Sequence, residues 1–246
     1  MFPRRRELTA KIEPFDSFWE APDDIEKGYQ SFHLFYQDNY SRFFPADKNA
    51  NILCVSCGPG YGVALLADKG YRSVLGIDSF PDKIEYAARR QLNCRVAYAF
   101  DFLADAADAT FDLIFVEQEL NHLTKDEILE FLRLCYLKLK PGARLLCFAL
   151  NGANPITGAE ALAQNFDHQN TFTEYTFRQV LDHVNLKNIE IFDLNLYVFY
   201  KNPFNYVAMG AAAALKIFFR ACYILYGKNN KLFSKKIAGT GVRPAT

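Results

Sequence analysis

The sequence predicts an α/β fold: a mostly parallel sheet with helices on both faces. Three observations predict it. Short apolar runs alternate with amphipathic helical stretches between about residues 46 and 200. The first run ends in a glycine cluster that opens directly into a helix. The second and third runs end at or near an aspartate, which suits an open parallel sheet whose carboxyl edge binds a ligand.

The elements follow in order. Residues 1–45 form an aromatic-rich lead-in with helical character around Ile25 to Phe44. Asn51 to Cys57 is a buried strand running into a turn, and Gly62 to Lys69 a helix closed by Gly70. Ser73 to Ile77 is a second strand, ending at Asp78. Pro81 suits the first turn of a helix reaching Gln91. A third strand is predicted over Arg95 to Ala99, ending near Asp101, and a fourth over Phe111 to Glu117. Thr124 caps a helix to Lys140, with Glu127 completing a capping box and Ile128, Phe131, Leu132, Cys135 and Leu139 at helical spacing. Pro141-Gly142 stops that helix. Ala143 to Leu150 is a fifth strand, Thr173 to Val184 a helix and Asn188 to Leu194 a sixth strand. A last strand near Ile237 to Val242 pairs with the sixth as an antiparallel edge hairpin, giving seven strands. The domain reading is a lead-in covering the site (1–45), a binding core (46–200), and an apolar helical segment with the final strand (201–246).

Composition narrows the function. The chain has 246 residues, half of them hydrophobic, and 28 basic against 28 acidic side chains. A neutral balance argues against nucleic acid as a partner, since phosphate binding needs a basic excess. The six cysteines are scattered without disulfide spacing, and the N-terminus is polar and interrupted by Pro3 and Pro14, unlike a secretory leader. The expected setting is the cytoplasm, extending to the inner face of the membrane. Cys54 and Cys57 spell C-x-x-C, but no second pair accompanies them, so no metal site is read there.

The sharpest local signal is Ile52-Leu53-Cys54-Val55-Ser56-Cys57-Gly58-Pro59-Gly60-Tyr61-Gly62. Glycines suit a turn where a ligand approaches the backbone, and the helix behind it offers free N–H groups to an anion. Asp78 at the end of the second strand can bind both hydroxyls of a ribose. Asp101 can accept from an adenine amino group, with Phe102 stacked nearby. The dinucleotide fingerprint G-x-G-x-x-G is not met, because Val63 stands at its last glycine.

These residues, with Val74-Leu75-Gly76-Ile77-Asp78, Phe111 to Phe115 and Leu137 to Ala143, resemble class I S-adenosylmethionine-dependent methyltransferases in order and spacing. The resemblance implies a Rossmann-like class I methyltransferase fold and S-adenosylmethionine as cofactor. It places Ser56, Cys57, Gly58, Pro59 and Gly60 at the methionine part, Asp78 and Ser79 at the ribose, and Asp101 and Phe102 at adenine. The stretch from Glu117 to His122 would face the sulfonium and the acceptor. A narrower likeness links Asn151-Gly152-Ala153-Asn154-Pro155, Asp167 to Thr173 and Gly28 to His33 with bacterial methyltransferases of surface-polysaccharide and lipopolysaccharide biosynthesis. It implies a sugar hydroxyl, on a small molecule or glycan, as acceptor. This chain departs from the pattern at Cys54, where an acid is usual, and at Ser56, where a glycine is usual. Those departures leave a second function open: a non-catalytic methyltransferase-like subunit supporting an active partner.

A hydroxyl acceptor needs a base. Three candidates are His122 past the fourth strand, His168 beside Asp167, and Glu119. Finally, Tyr206 to Gly227 reads as an apolar helix whose charges, Lys216 and Arg220, share one face. So narrow a polar stripe demands burial against its own domain, in a homo- or hetero-oligomer, or at a membrane surface.

Overall fold

The computed structural model describes residues 22–117, 119–163, 168–196 and 202–245. Its centre is a seven-stranded sheet made of β1 (Asn51–Val55), β2 (Ser73–Asp78), β3 (Cys94–Val96), β4 (Phe111–Val116), β5 (Leu139–Leu150), β6 (Lys187–Asp193) and β7 (Lys236–Val242). The order across the sheet is β3-β2-β1-β4-β5-β7-β6. The first five strands run parallel, and β7 is antiparallel to both β5 and β6. The predicted antiparallel hairpin is present, but β7 is its inner strand and β6 the edge.

Helices cover both faces: α1 (Pro22–Tyr40), α2 (Tyr61–Asp68), α3 (Pro81–Arg89), α4 (Ala99–Asp105), α5 (Lys125–Lys138), α6 (Glu160–Ala163), α7 (Glu174–His183) and α8 (Phe204–Leu225). Alternation along β1 explains why two cores form. Leu53 and Val55 join the layer built with α5 and α7. Ile52 and Cys54 join the layer built with α1 and α2. A strand buried on both faces reads as a continuous apolar run, as β1 and β4 do. The predicted capping box holds: Glu127 N–H donates to the Thr124 hydroxyl and Thr124 N–H to the Glu127 carboxylate, at 3.3 and 2.8 Å.

Two expectations are corrected. The third strand is shorter than its apolar run suggested. Ala97 N–H donates back to the Asp78 carbonyl at 2.8 Å, which ends the ladder, and Tyr98 takes an extended conformation as the cap of α4. Asp101 therefore sits in the first turn of a helix rather than past a strand. The second correction concerns α8. Burial of most of its surface against its own domain was one expected arrangement, yet no residue of α8 is buried.

Candidate functional site

β1 delivers the chain into a tight turn at the carboxyl edge of the sheet. Ser56, Gly58 and Gly60 all have left-handed φ, at 54°, 53° and 87°. Cys57 N–H donates to the Ile77 carbonyl at 3.0 Å, and Gly60 N–H to the Cys57 carbonyl at 2.8 Å, closing the turn. The glycines serve different ends. A Cβ at Gly58 would meet nothing within 4 Å, so this position borders open space. One at Gly60 would press on Leu92 and Cys94 Sγ at 3.0 and 3.1 Å, so this glycine packs the turn on its support. One at Gly62 would lie 2.7 Å from Glu117 Oε1. Ser56 holds a conformation that disfavours any L side chain by about 1–2 kcal/mol, which explains why glycine suits its place.

Asp78 meets this turn directly. Its Oδ2 accepts from Gly58 N–H at 2.7 Å and its Oδ1 from Phe80 N–H at 3.0 Å. The carboxylate is 7% exposed. Each oxygen retains a second lone pair, so the same group can accept from two hydroxyls. Ser79 follows, half-buried, and Asp101 lies exposed in the first turn of α4. Phe102 is differently engaged. Its ring centre lies 6.4 Å from that of Phe111, and the Arg95 guanidinium sits 4.7 Å above it. Phe111 opens β4 at the end opposite the glycine turn, so the Phe102 ring packs into the core and not beside an adenine. That corrects its predicted role.

Glu117, one residue past β4, is the most unusual group here. It is 5% exposed, and Tyr36 of α1 donates its phenolic proton to Oε2. Oε1 is buried with no hydrogen-bond partner. Burial pushes the carboxyl up to about 8; the Tyr36 hydrogen bond pulls it back, and the charge of Asp78 adds to the rise. Alternation puts Glu117 on the same sheet face as Phe115, the register partner of Cys54. The acid missing from β1 thus has a counterpart two residues beyond its neighbour on β4.

α1, part of the lead-in expected to cover the site, closes over this turn through contacts that the sequence did not specify. Tyr29 donates to the Pro59 carbonyl at 2.5 Å, and Tyr61 returns a hydrogen bond to the Ile25 carbonyl at 3.0 Å. Phe32 stacks on Tyr61 with ring centres 4.6 Å apart. Tyr36 and Tyr40 meet Phe115 edge-on. The signal was present: Tyr29, Phe32, Tyr36 and Tyr40 recur at helical spacing.

The two histidines come together from residues 46 apart. His122 ends a 3-10 turn after β4, and His168 precedes the segment bridged to the end of β5 through Asn151 and Phe172. Their ring centres are 5.0 Å apart, edge to face. Gln169 and Asn170 N–H groups donate to the Asn121 carbonyl and hold the two segments together. His168 Nδ1 lies 2.7 Å from the Ala161 carbonyl. A carbonyl only accepts, so Nδ1 carries the proton and Nε2 is the basic nitrogen. The Glu119 side chain and Asp167 lie outside the described residues, so neither the third candidate base nor the Asp167–His168 pairing is placed. Within the C-x-x-C pair, the thiol of Cys57 hydrogen-bonds that of Cys94 on β3, and this contact with burial holds its proton well above the usual thiol range.

Residues 52–142 match a family model described as a methyltransferase domain. The surrounding chain has the class I methyltransferase fold, with one antiparallel edge hairpin. A methyltransferase from Archaeoglobus fulgidus superposes with a TM-score of 0.61 at 18% identity, over 86% of this chain and 99% of that one. A Haloferax volcanii methyltransferase complexed with the Trm112 activator gives 0.61 at 14%, over 90% and 92%. A Haemonchus contortus phosphoethanolamine N-methyltransferase bound to S-adenosylmethionine gives 0.58 at 15%, over 93% of this chain and 59% of that one. No curated protein matches the sequence. S-adenosylmethionine is the cofactor that the resemblance implies, and the site has features that fit it. Gly58 leaves a gap where a side chain would stand, Asp78 offers two acceptors beside it, and the orphaned Oε1 of Glu117 suits a cation.

Proposed function

We propose that this methyltransferase moves a methyl group from S-adenosylmethionine to a hydroxyl, on a sugar of a bacterial surface glycan, working in the cytoplasm. The observation that carries the reading is the meeting of His122 and His168 at the same sheet edge as the glycine turn. When bound, the cofactor supplies a methyl group made electrophilic by its sulfonium. The protein's own work is then alignment and proton removal. Asp78 and the Gly58 gap fix the ribose end. Glu117, held by Tyr36, offers its unpaired oxygen to the cationic end. The Ala161 carbonyl fixes the His168 tautomer, so Nε2 can take the proton of an approaching hydroxyl. His122, edge-on to that ring, limits how it turns. A hydroxyl is a weak nucleophile until such a base takes its proton, whereas a neutral amine attacks without that help. The sugar assignment rests on the likeness of residues 151–155 and 167–173 to polysaccharide methyltransferases.

Two measurements test the proposal. Calorimetry with S-adenosylhomocysteine is expected to show saturable binding. Incubation with radiolabelled S-adenosylmethionine and bacterial envelope polysaccharide is expected to place label in an alkali-stable sugar ether. Label on protein or amine instead overturns the acceptor class. Absence of binding at millimolar ligand overturns the enzyme reading and favours the supporting subunit, which the loss of the usual acid at Cys54 would suit.

A further inference from the structure

α8 is amphipathic in the reverse sense. Lys216 faces the domain and pairs with Asp193 at the end of β6. Phe219 and Tyr223, on the same stripe, pack on Phe233, and Tyr223 donates to the Ala153 carbonyl at 2.7 Å. At about 100° per residue, Val207, Phe218 and Leu225 fall on the opposite side. They are 70%, 61% and 85% exposed. The polar stripe is turned inward and the apolar stripe outward, over a 22-residue helix that contains no acid.

Charge says what covers it. After Asp193 the sequence holds eight lysines and arginines and no carboxylate, in a protein whose net charge is zero. Arg220, Lys228 and Lys231 are exposed along and just beyond the helix. A second copy packed on this face would bring those cations together with no acid from the segment to answer them. An anionic surface answers them directly. An apolar hollow of about 510 Å³ lies alongside, lined by Pro155, Phe218, Phe219, Cys222 and Tyr226, with Lys228 as its one charged residue.

We infer that α8 lies in the plane of an anionic lipid bilayer, with the Val207, Phe218 and Leu225 stripe among the acyl chains and Arg220, Lys228 and Lys231 at the headgroups. By length and composition alone the helix could cross a membrane. Topology argues for lying flat. The chain leaves the sheet at Asp193 and re-enters it at Lys236, and β6 and β7 are hydrogen-bonded neighbours. If α8 crossed, residues 226–235 would have to return through hydrocarbon with unpaired backbone groups, which a bilayer does not tolerate. Instead Phe233 of the return segment stays against the helix. Ala153, where Tyr223 anchors, lies three residues past β5, at the catalytic edge. An acceptor carried in the bilayer would reach that edge. This last point rests on the transferase reading; the docking itself does not.

The test is cosedimentation of the full chain with vesicles of phosphatidylcholine, alone or with about one-third phosphatidylglycerol. Binding to the anionic vesicles is expected, and at least tenfold weaker binding to the neutral ones. F218E with L225E should abolish it, with the circular dichroism spectrum and the S-adenosylhomocysteine response unchanged. R220E with K228E and K231E should bring anionic binding down to the neutral level. No binding to anionic vesicles overturns the inference. So does unaltered binding by F218E/L225E. A solution dimer that F218E/L225E dissociates, without vesicle binding, overturns it in favour of a second copy.

Discussion

Replacing Glu117 with Gln tests the electrostatics of the site at a single atom. The folded protein holds the Glu117 proton up to about pH 8, against an ordinary value of 4.5, because the carboxyl is buried. Between those two pH values the folded state binds more protons than the unfolded state, so stability falls as pH rises. The fall starts near pH 4.5 and flattens above about 8. At about 1.36 kcal/mol per unit of separation, roughly 5 kcal/mol is the upper limit over the whole window. Glu117→Gln keeps the shape and the Tyr36 contact but removes the ionisation. Urea unfolding at intervals between pH 5 and 9 should show wild-type stability declining steadily and the variant staying nearly level across that window. Their curves should separate most at the alkaline end, with the variant more stable. Parallel curves would refute the argument, because the slope would then belong to other groups. The same proton gives a ligand readout. Near pH 7 the carboxyl is largely neutral, so capture of a cation at Oε1 should expel a proton. Calorimetry of S-adenosylmethionine in buffers of different ionisation enthalpy should register that release in wild type and not in Glu117→Gln.

Other expected outcomes are smaller in scope. Asp78→Ala removes the acceptor for Gly58 and Phe80 N–H groups and, on the proposed function, for two ribose hydroxyls; hydrogen bonds to a charged group are worth about 1.5–3 kcal/mol each, so S-adenosylhomocysteine affinity should drop at least tenfold by calorimetry. Unchanged affinity removes Asp78 from the site. Ser56→Gly relieves left-handed strain of about 1–2 kcal/mol at an entropic cost of about 0.5–1, so a gain near 1 kcal/mol in urea unfolding is expected, and a loss would contradict the strain. His168→Ala should slow turnover while S-adenosylhomocysteine affinity stays put; equal turnover strikes His168 as the base.

The glycine turn and Asp78 were legible because their chemistry is local. A backbone that must approach a ligand needs glycine, and an apolar run that stops at an acid marks a strand end. The capping box at Thr124 was legible for the same reason. Pairings across distance were not. Nothing in the spacing of Cys54 and Cys57 says that Cys57 meets Cys94 instead, since that depends on β3 lying beside β2. His122 and His168 were separate candidates, and the hydrogen bonds from Gln169 and Asn170 to the Asn121 carbonyl, which join their segments, have no signature in the sequence. Phe102 looked like an adenine platform because it follows a predicted strand; once Ala99 begins a helix, the ring swings into the core. Glu117 was visible as the last residue of an apolar run, but its orphaned oxygen depends on where Tyr36 arrives from α1.

The interior position of β7 governs how the chain can assemble. Among the described residues, β6 pairs with β7 alone, a strand that follows it by more than 40 residues, and the same strand is the outer neighbour of β5. β7 therefore ties the outer third of the sheet to the rest, and α8 lies in the connection between β6 and β7. Removing residues 237–246 would leave β6 without its ladder and β5 paired on one side alone, with β4. The segment whose apolar stripe faces away from the domain is thereby tied to it at both ends by one strand pair, so a pull on that segment would load the sheet itself.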